Sequence, residues 1–236
     1  MLRTTPSRRA ASLRLASVAF VSLLDACGPG SPLDRVGHTG PLDTSFAVST
    51  FFSPSGYMGD GAVPGPLTAD INENCKERPP GARGDCYRFT YVPSTMLWSG
   101  VYWQYPSNNW GTQAGWPLAQ RVDDGGTLPG GGNLPIFTTV KFQAASNLEV
   151  DALGSALQVQ FIVGGINGGF MYSDEFKFSK FTTDVSTKWN QYSIDISGIP
   201  FTTVIGGFCW VTNYPMFTDP TTAPVHVLYL DDIVWE

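Results

Sequence analysis

Apolar and polar residues alternate with a period of two along much of the chain. Tyr87, Phe89 and Tyr91 alternate with Arg88 and Thr90, and Val140, Phe142 and Ala144 with Lys141 and Gln143. Leu157, Val159, Phe161 and Val163 alternate with Gln158 and Gln160, and Tyr192, Ile194 and Ile196 with Ser193 and Asp195. Successive side chains of a strand point to opposite faces, so each stretch predicts a strand with one face in a core and one face wet. Half-buried strands of this kind belong to antiparallel sheets. Turn-forming clusters separate them, among them 164–169 (GGINGG) and 197–200 (SGIP). No stretch sustains a helical period with caps. The economical architecture is one two-sheet antiparallel β-sandwich of about eight or more strands, all-β, over residues 45–236.

Composition agrees with that pattern and removes some function classes. Apolar residues make up 42% and charged residues 14% of the 236, which argues against a disordered chain. Gly 26, Pro 18 and 13% aromatics suit short strands joined by turns better than a helical bundle. The balance is acidic, 14 Lys+Arg against 20 Asp+Glu. Phosphate backbones are held by clustered Lys and Arg, so nucleic acid is not an expected partner. No repeat of fixed period suggests a solenoid or propeller.

The first 44 residues stand apart from the strand pattern. Arg3, Arg8, Arg9 and Arg14 precede the apolar run Leu15–Leu24, which is too short to span a bilayer as a helix. A basic segment followed by a short apolar stretch reads as an export signal over 1–26. Its end, Leu24-Asp25-Ala26-Cys27, resembles the lipobox of bacterial lipoproteins, with Asp25 departing from the small uncharged residue usual there. The resemblance implies a lipidated Cys27, export to the bacterial cell envelope, and membrane contact through a lipid anchor only. Loss of residues 1–26 leaves 10 Lys+Arg against 19 Asp+Glu, a net charge of −9. That charge gives an anionic lipid surface nothing to attract. Residues 27–44 are Gly- and Pro-rich without apolar periodicity and read as a tether. His38, within it, has no neighbouring ligand residues.

The cysteines suit an exported protein. Cys75 and Cys86 bracket a polar, turn-forming loop, and a disulfide between them is expected in an oxidising compartment. Cys209 lies in the apolar run GFCWV and reads as a buried free thiol.

The C-terminal half carries a resemblance. The segments VKFQAAS (140–146), VQFIVGG (159–165), KWNQYSIDISG (188–198), VIGGFCWV (204–211) and VLYLDDIVWE (227–236) occur in an order that resembles jelly-roll, galactose-binding-like carbohydrate-binding modules. Trp189, Tyr192, Ile194, Asp195, Ile196 and Ser197 match one strand of that pattern, Gly207, Phe208 and Trp210 the next, and Tyr229 to Ile233 the closing strand. The resemblance implies a carbohydrate partner and, often, a companion glycan-degrading enzyme. It also implies a structural Ca²⁺ against the closing-strand Asp231, with Asp60 as a second candidate ligand. The alternation itself places Val225, Val227, Tyr229, Asp231 and Ile233 on one face. If that face is inward, Asp231 is costly unless it is paired or bound to a cation.

The segment best suited to recognition is 98–116 (WSGVYWQYPSNNWGTQAGW). It holds four of the seven tryptophans and no charged residue. Flat rings stack on the apolar faces of sugars, and amides bond their hydroxyls from either side of the hydrogen bond. Trp98, Tyr102, Tyr105, Asn108, Asn109, Trp110 and Trp116 are therefore the candidate binding residues for a neutral polysaccharide or oligosaccharide. Parity sets Val101, Trp103 and Tyr105 on one face and Trp98, Gly100 and Tyr102 on the other. Trp103 is expected in the core, and Trp110 and Trp116 as exposed loop rings. A structural surface lipoprotein without a ligand is the first alternative. A small glycoside hydrolase or lyase is the second, with Glu149, Asp151, Asp174, Glu175 and Asp184 as available carboxylates. No Gly-x-Ser-x-Gly, His-Glu-x-x-His or Cys/His pair is present.

Overall fold

The computed structural model describes residues 45–117, 137–149, 157–182, 184–198 and 201–236. Cys27, His38, Asp151 and nearly all of the Gly-rich stretch 117–135 fall outside the described residues, as do the leader and the tether. The described strands are β1 (Phe46–Ala47), β2 (Ser53–Gly59), β3 (Leu67–Ile71), β4 (Tyr87–Tyr91), β5 (Trp98–Gln104) and β6 (Thr139–Ser146). They continue with β7 (Gln158–Gly164), β8 (Lys177–Thr182), β9 (Asn190–Asp195), β10 (Gly206–Asn213) and β11 (His226–Trp235). Among the described residues no helix is long and apolar enough to cross a membrane.

The strands form two antiparallel sheets. One runs β3-β4-β11-β6-β9 with β1 on the end of β11, and the other runs β2-β5-β10-β7-β8. The chain crosses repeatedly from sheet to sheet, as in a jelly roll, so the fold is a two-sheet β-sandwich.

Directly opposed residues of an antiparallel pair share a face, so the register shows what each sheet turns inward. Leu228 opposes Phe89 and Leu230 opposes Tyr87 on the six-stranded sheet. Trp210 lies between Val101 and Phe161 on the five-stranded sheet. These residues meet in one buried core. Trp103 is its hub, edge-on to Tyr87 at 4.9 Å, Phe89 at 5.6 Å and Phe208 at 5.4 Å. The parity reading of β5 holds for these positions: Val101 and Trp103 point in, Trp98 and Tyr102 point out. Cys209 is buried and free, as expected.

The closing strand departs from simple parity. Pairing of β11 with β6 shifts register between Asp231 and Val234, and Asp232 takes φ 47°. This bulge inserts one residue, so Leu228 and Leu230 point inward before it and Ile233 and Trp235 after it. Asp231 consequently faces outward with Tyr229, while Ile233 belongs to the core. The expectation that all five residues from Val225 to Ile233 share one face is corrected by that single bulge.

Cys75 and Cys86 are joined, and the clipped loop lies against the outer side of the six-stranded sheet. Closing so short a loop contributes up to about 3 kcal/mol in the chain-entropy model. There the Arg78 guanidinium forks onto Asp231, Nε to Oδ2 and Nη2 to Oδ1 at 2.7 Å each, and Nη2 also donates to the Gly84 carbonyl at 3.0 Å.

Candidate functional site

The two outer faces differ in chemistry. On the six-stranded sheet, Arg88 pairs with Asp70, Arg78 with Asp231 and Lys141 with Glu236. On the five-stranded sheet, three rows of side chains cross the strands. Trp98, Asn213 and Gln158 make the first, each directly opposite the next. Met58, Gly100, Val211, Gln160 and Phe181 make the second. Tyr102, Cys209, Ile162 and Ser179 make the third. These rows contain no carboxylate, amine or guanidinium, and the next outward position on β8, Lys177 opposite Gly164, brings an ammonium to the edge of the face. The only ionisable groups, Tyr102 and Cys209, are held protonated, because burial pushes both pKa values upward.

Gly100 is required in the middle of this face. A Cβ there would come within 2.5 Å of the Trp210 carbonyl oxygen and 2.9 Å of Val211. The missing side chain lets Val211 and Met58 close over β5 between the outward residues Trp98 and Tyr102. The Trp98 ring lies on Gly59, where a Cβ would meet the ring at 2.7 Å. Trp98, Gln158, Gln160 and Asn213 are half-buried, and Phe181 is 65% exposed. Flat apolar surface and free amides therefore share one open plane.

Trp110 stands at one end of the plane, edge-on to Tyr102 at 6.0 Å. It packs on a small second cluster made of Tyr102, Ile162, Ile166, Ile205 and Cys209. The neighbouring loop leans on the same corner, with the Tyr172 N–H donating to the Gly111 carbonyl at 3.0 Å. It carries Phe170, Tyr172 and the 89%-exposed Met171. Asp174 anchors that loop from below: its buried carboxylate accepts the N–H groups of Ile205 at 2.7 Å, Gly206 at 3.0 Å and Ile166 at 3.3 Å. Burial raises its pKa, and the three amides oppose the shift.

No protein-family model matches the chain, and no curated protein matches it by sequence. Among solved structures it is similar to one from a study of the promiscuous specificity of β-sandwich carbohydrate-binding modules. Sequence identity is 12%, the TM-score is 0.40, and the match covers 73% of this chain. This chain spans about half of that protein's length, 54%.

The structure separates the seven sequence-predicted binding residues. Trp98 and Tyr102 lie on the ring-and-amide face, and Trp110 borders it. Asn109 is corrected to a structural role. It is fully buried, its Nδ2 donates to the carbonyls of Tyr105 and Gln113, and its Oδ1 accepts the N–H groups of Gly111 and Gln113. All four bonding positions of the amide are used in organising the loop. Trp116 is corrected as well: it is 6% exposed, stacked on Phe51 at 4.1 Å and bridged through its backbone to Val204. Tyr105 meets Trp116 edge-on at 5.1 Å and packs against the core, away from the face. Asn108 is exposed at the β2 edge, where its N–H donates to Ser55 Oγ at 2.9 Å. The β7, β8 and β10 contributions were missed, although the alternation had already marked Gln158 and Gln160 as a wet face.

The two proposed calcium ligands do not fit a calcium site as they stand. Both Asp231 oxygens are taken by the Arg78 guanidinium, and Oδ1 also accepts the Asp232 N–H. Asp60 accepts the Tyr91 hydroxyl at 2.7 Å and the N–H groups of Ser94 and Met96 at 2.9 Å each. Among the described residues no cluster of three or more candidate ligands occurs. Calcium needs six to eight oxygens, and the positive charge beside Asp231 is already supplied by arginine.

Proposed function

We propose that the outer face of the five-stranded sheet binds a neutral carbohydrate without catalysis. The observation that carries this reading is the contrast between the two faces: one crossed by ion pairs, the other composed of rings and amides, with the ammonium of Lys177 at its β8 edge. Trp98 and Trp110 offer stacking surfaces, and Gln158 and Gln160 offer donors and acceptors to ring hydroxyls. Phe181 extends the apolar plane at the far edge. In this reading the chain is exported and anchored through Cys27. It keeps a polysaccharide near the cell envelope or presents it to a partner glycan-degrading enzyme.

The test is retention of the purified full chain on a panel of neutral polysaccharides, by affinity electrophoresis or pull-down. Trp98→Ala and Trp110→Ala are each expected to weaken retention roughly three- to tenfold, the contribution of one stacked ring. Gln160→Ala is expected to weaken it by a smaller factor. Because the ligand is neutral, retention should change little with ionic strength. No retention on any polysaccharide, or retention by both tryptophan variants unchanged from that of the unaltered chain, would leave the first alternative, a structural surface protein.

A further inference from the structure

A concavity lies on the outer side of the six-stranded sheet, apart from the ring-and-amide face. A cleft of about 590 Å³ opens between the disulfide-clipped loop and the segment leading into β9. Lys76 to Pro80 form one wall, Thr187, Lys188 and Trp189 the other, and Gln143 also lines it. Gln143 stands directly opposite Asp231, so both belong to the sheet beneath the loop. The volume falls in the range of small-ligand sites.

The walls are fixed before any ligand arrives. The loop is closed by Cys75–Cys86 and pinned by the two-pronged Arg78–Asp231 contact. The walls are tied together where Trp189 Nε1 donates to the Glu77 carbonyl at 2.6 Å. Trp189 is braced edge-on by Tyr229 at 6.4 Å, and the Lys76 ammonium lies 5.9 Å above the same tyrosine ring. A preformed site loses less ordering entropy on binding.

Two of the charges at the cleft are unpaired. Arg78 is neutralised by Asp231, whereas Lys76 and Lys188 have no carboxylate at ion-pair distance among the described residues. Two ammonium groups without an ion-pair partner thus stand at the cleft, with Glu77 on one wall and Glu149 behind the other, where it accepts the Thr187 hydroxyl at 2.5 Å. An indole and the Gln143 amide complete the lining. This set matches a ligand with a flat apolar face, hydroxyls and one carboxylate. We propose that the cleft between the Cys75–Cys86 loop and Trp189 binds a uronic-acid residue of an acidic saccharide, with Lys76 and Lys188 facing its carboxylate.

The test is calorimetric titration of the full chain with trigalacturonate and with its methyl ester. The acid is expected to bind at least about tenfold more tightly than the ester, and to weaken as salt is added. The double variant Lys76→Gln/Lys188→Gln, on the surface and remote from the core, should lose that preference. Trp98→Ala should keep it, and the lysine variant should keep any retention on neutral polysaccharide. The two sites therefore fail separately. Absence of binding, equal binding of acid and ester, or a preference unchanged in the lysine variant overturns the proposal. Inorganic phosphate competing as strongly as trigalacturonate also overturns it, in favour of a simple anion site.

Discussion

Replacing Arg78 by alanine is expected to destabilise the fold by about 2–3 kcal/mol. Asp231 is fully buried, and nearly all of its charge compensation comes from that one guanidinium, 153 residues away in sequence. Breaking a buried pair by removing one partner costs about 3–5 kcal/mol when the remaining charge stays dry. The lower figure applies because Arg78 is 37% exposed, so water can reach the vacated carboxylate, which also keeps the Asp232 N–H. Denaturant unfolding at constant m-value measures the change. The double variant Arg78→Met/Asp231→Leu should recover most of the loss, since it leaves no orphaned charge. A single-variant change within about 0.5 kcal/mol would mean that the pair is solvated and inert. The same arrangement predicts a melting midpoint indifferent to chelator. A midpoint that falls on chelation would place a metal ion where the guanidinium stands.

Acidification is expected to remove about 3 kcal/mol of stability between pH 6.5 and pH 4, through His226. This residue is 1% exposed on β11 opposite Tyr91, with Nε2 3.1 Å from Ser146 Oγ. Nδ1 has no hydrogen-bond partner among the described residues, and burial lowers the pKa to about 4. In the unfolded chain the imidazole takes up its proton near pH 6.5, while the folded protein resists until about pH 4. The unfolded state therefore binds more protons in this window, and stability falls as the pH drops through it. Asp70, Asp195 and Asp219 have lowered pKa values from hydrogen bonds, so their contribution is lost only below the histidine window. Asp174 acts in the opposite sense, because its raised pKa makes its contribution decline as the pH rises. His226→Gln keeps a partner for Ser146 but cannot titrate. Its stability should be nearly flat between pH 6.5 and 4, and an unaltered slope would assign the acid sensitivity elsewhere.

The fold was legible because alternation is a local property. The inward and outward sets on β4, β5, β6, β7 and β9 follow from period two alone, and Trp103 takes its core position for that reason. The bulge at Asp231–Asp232 was not legible, because one inserted residue reverses every later side chain without altering the apolar pattern. The partner of Asp231 was hidden for a different reason: Arg78 reaches it from a loop whose position depends on a disulfide and on sheet order.

The binding face was half legible. Parity set Trp98 and Tyr102 outward, and composition marked their segment as uncharged. Which strands flank β5 is a matter of topology, so Asn213, Gln158 and Phe181 could not be joined to Trp98 from sequence. Composition also treats every amide as equivalent. Asn109 shows the limit, since an irregular loop must satisfy its backbone from within and here spends a buried side chain on that task.

Cys209 turns the ring-and-amide face into its own reporter. The thiol is fully enclosed among Tyr102, Ile162, Ile166 and Ile205, at the corner where Trp110 rests. An alkylating reagent can reach it only when that corner lifts, so the labelling rate times the opening of this one patch, apart from global melting. A saccharide clamped across the rows should slow that clock, and Trp110→Ala should quicken it.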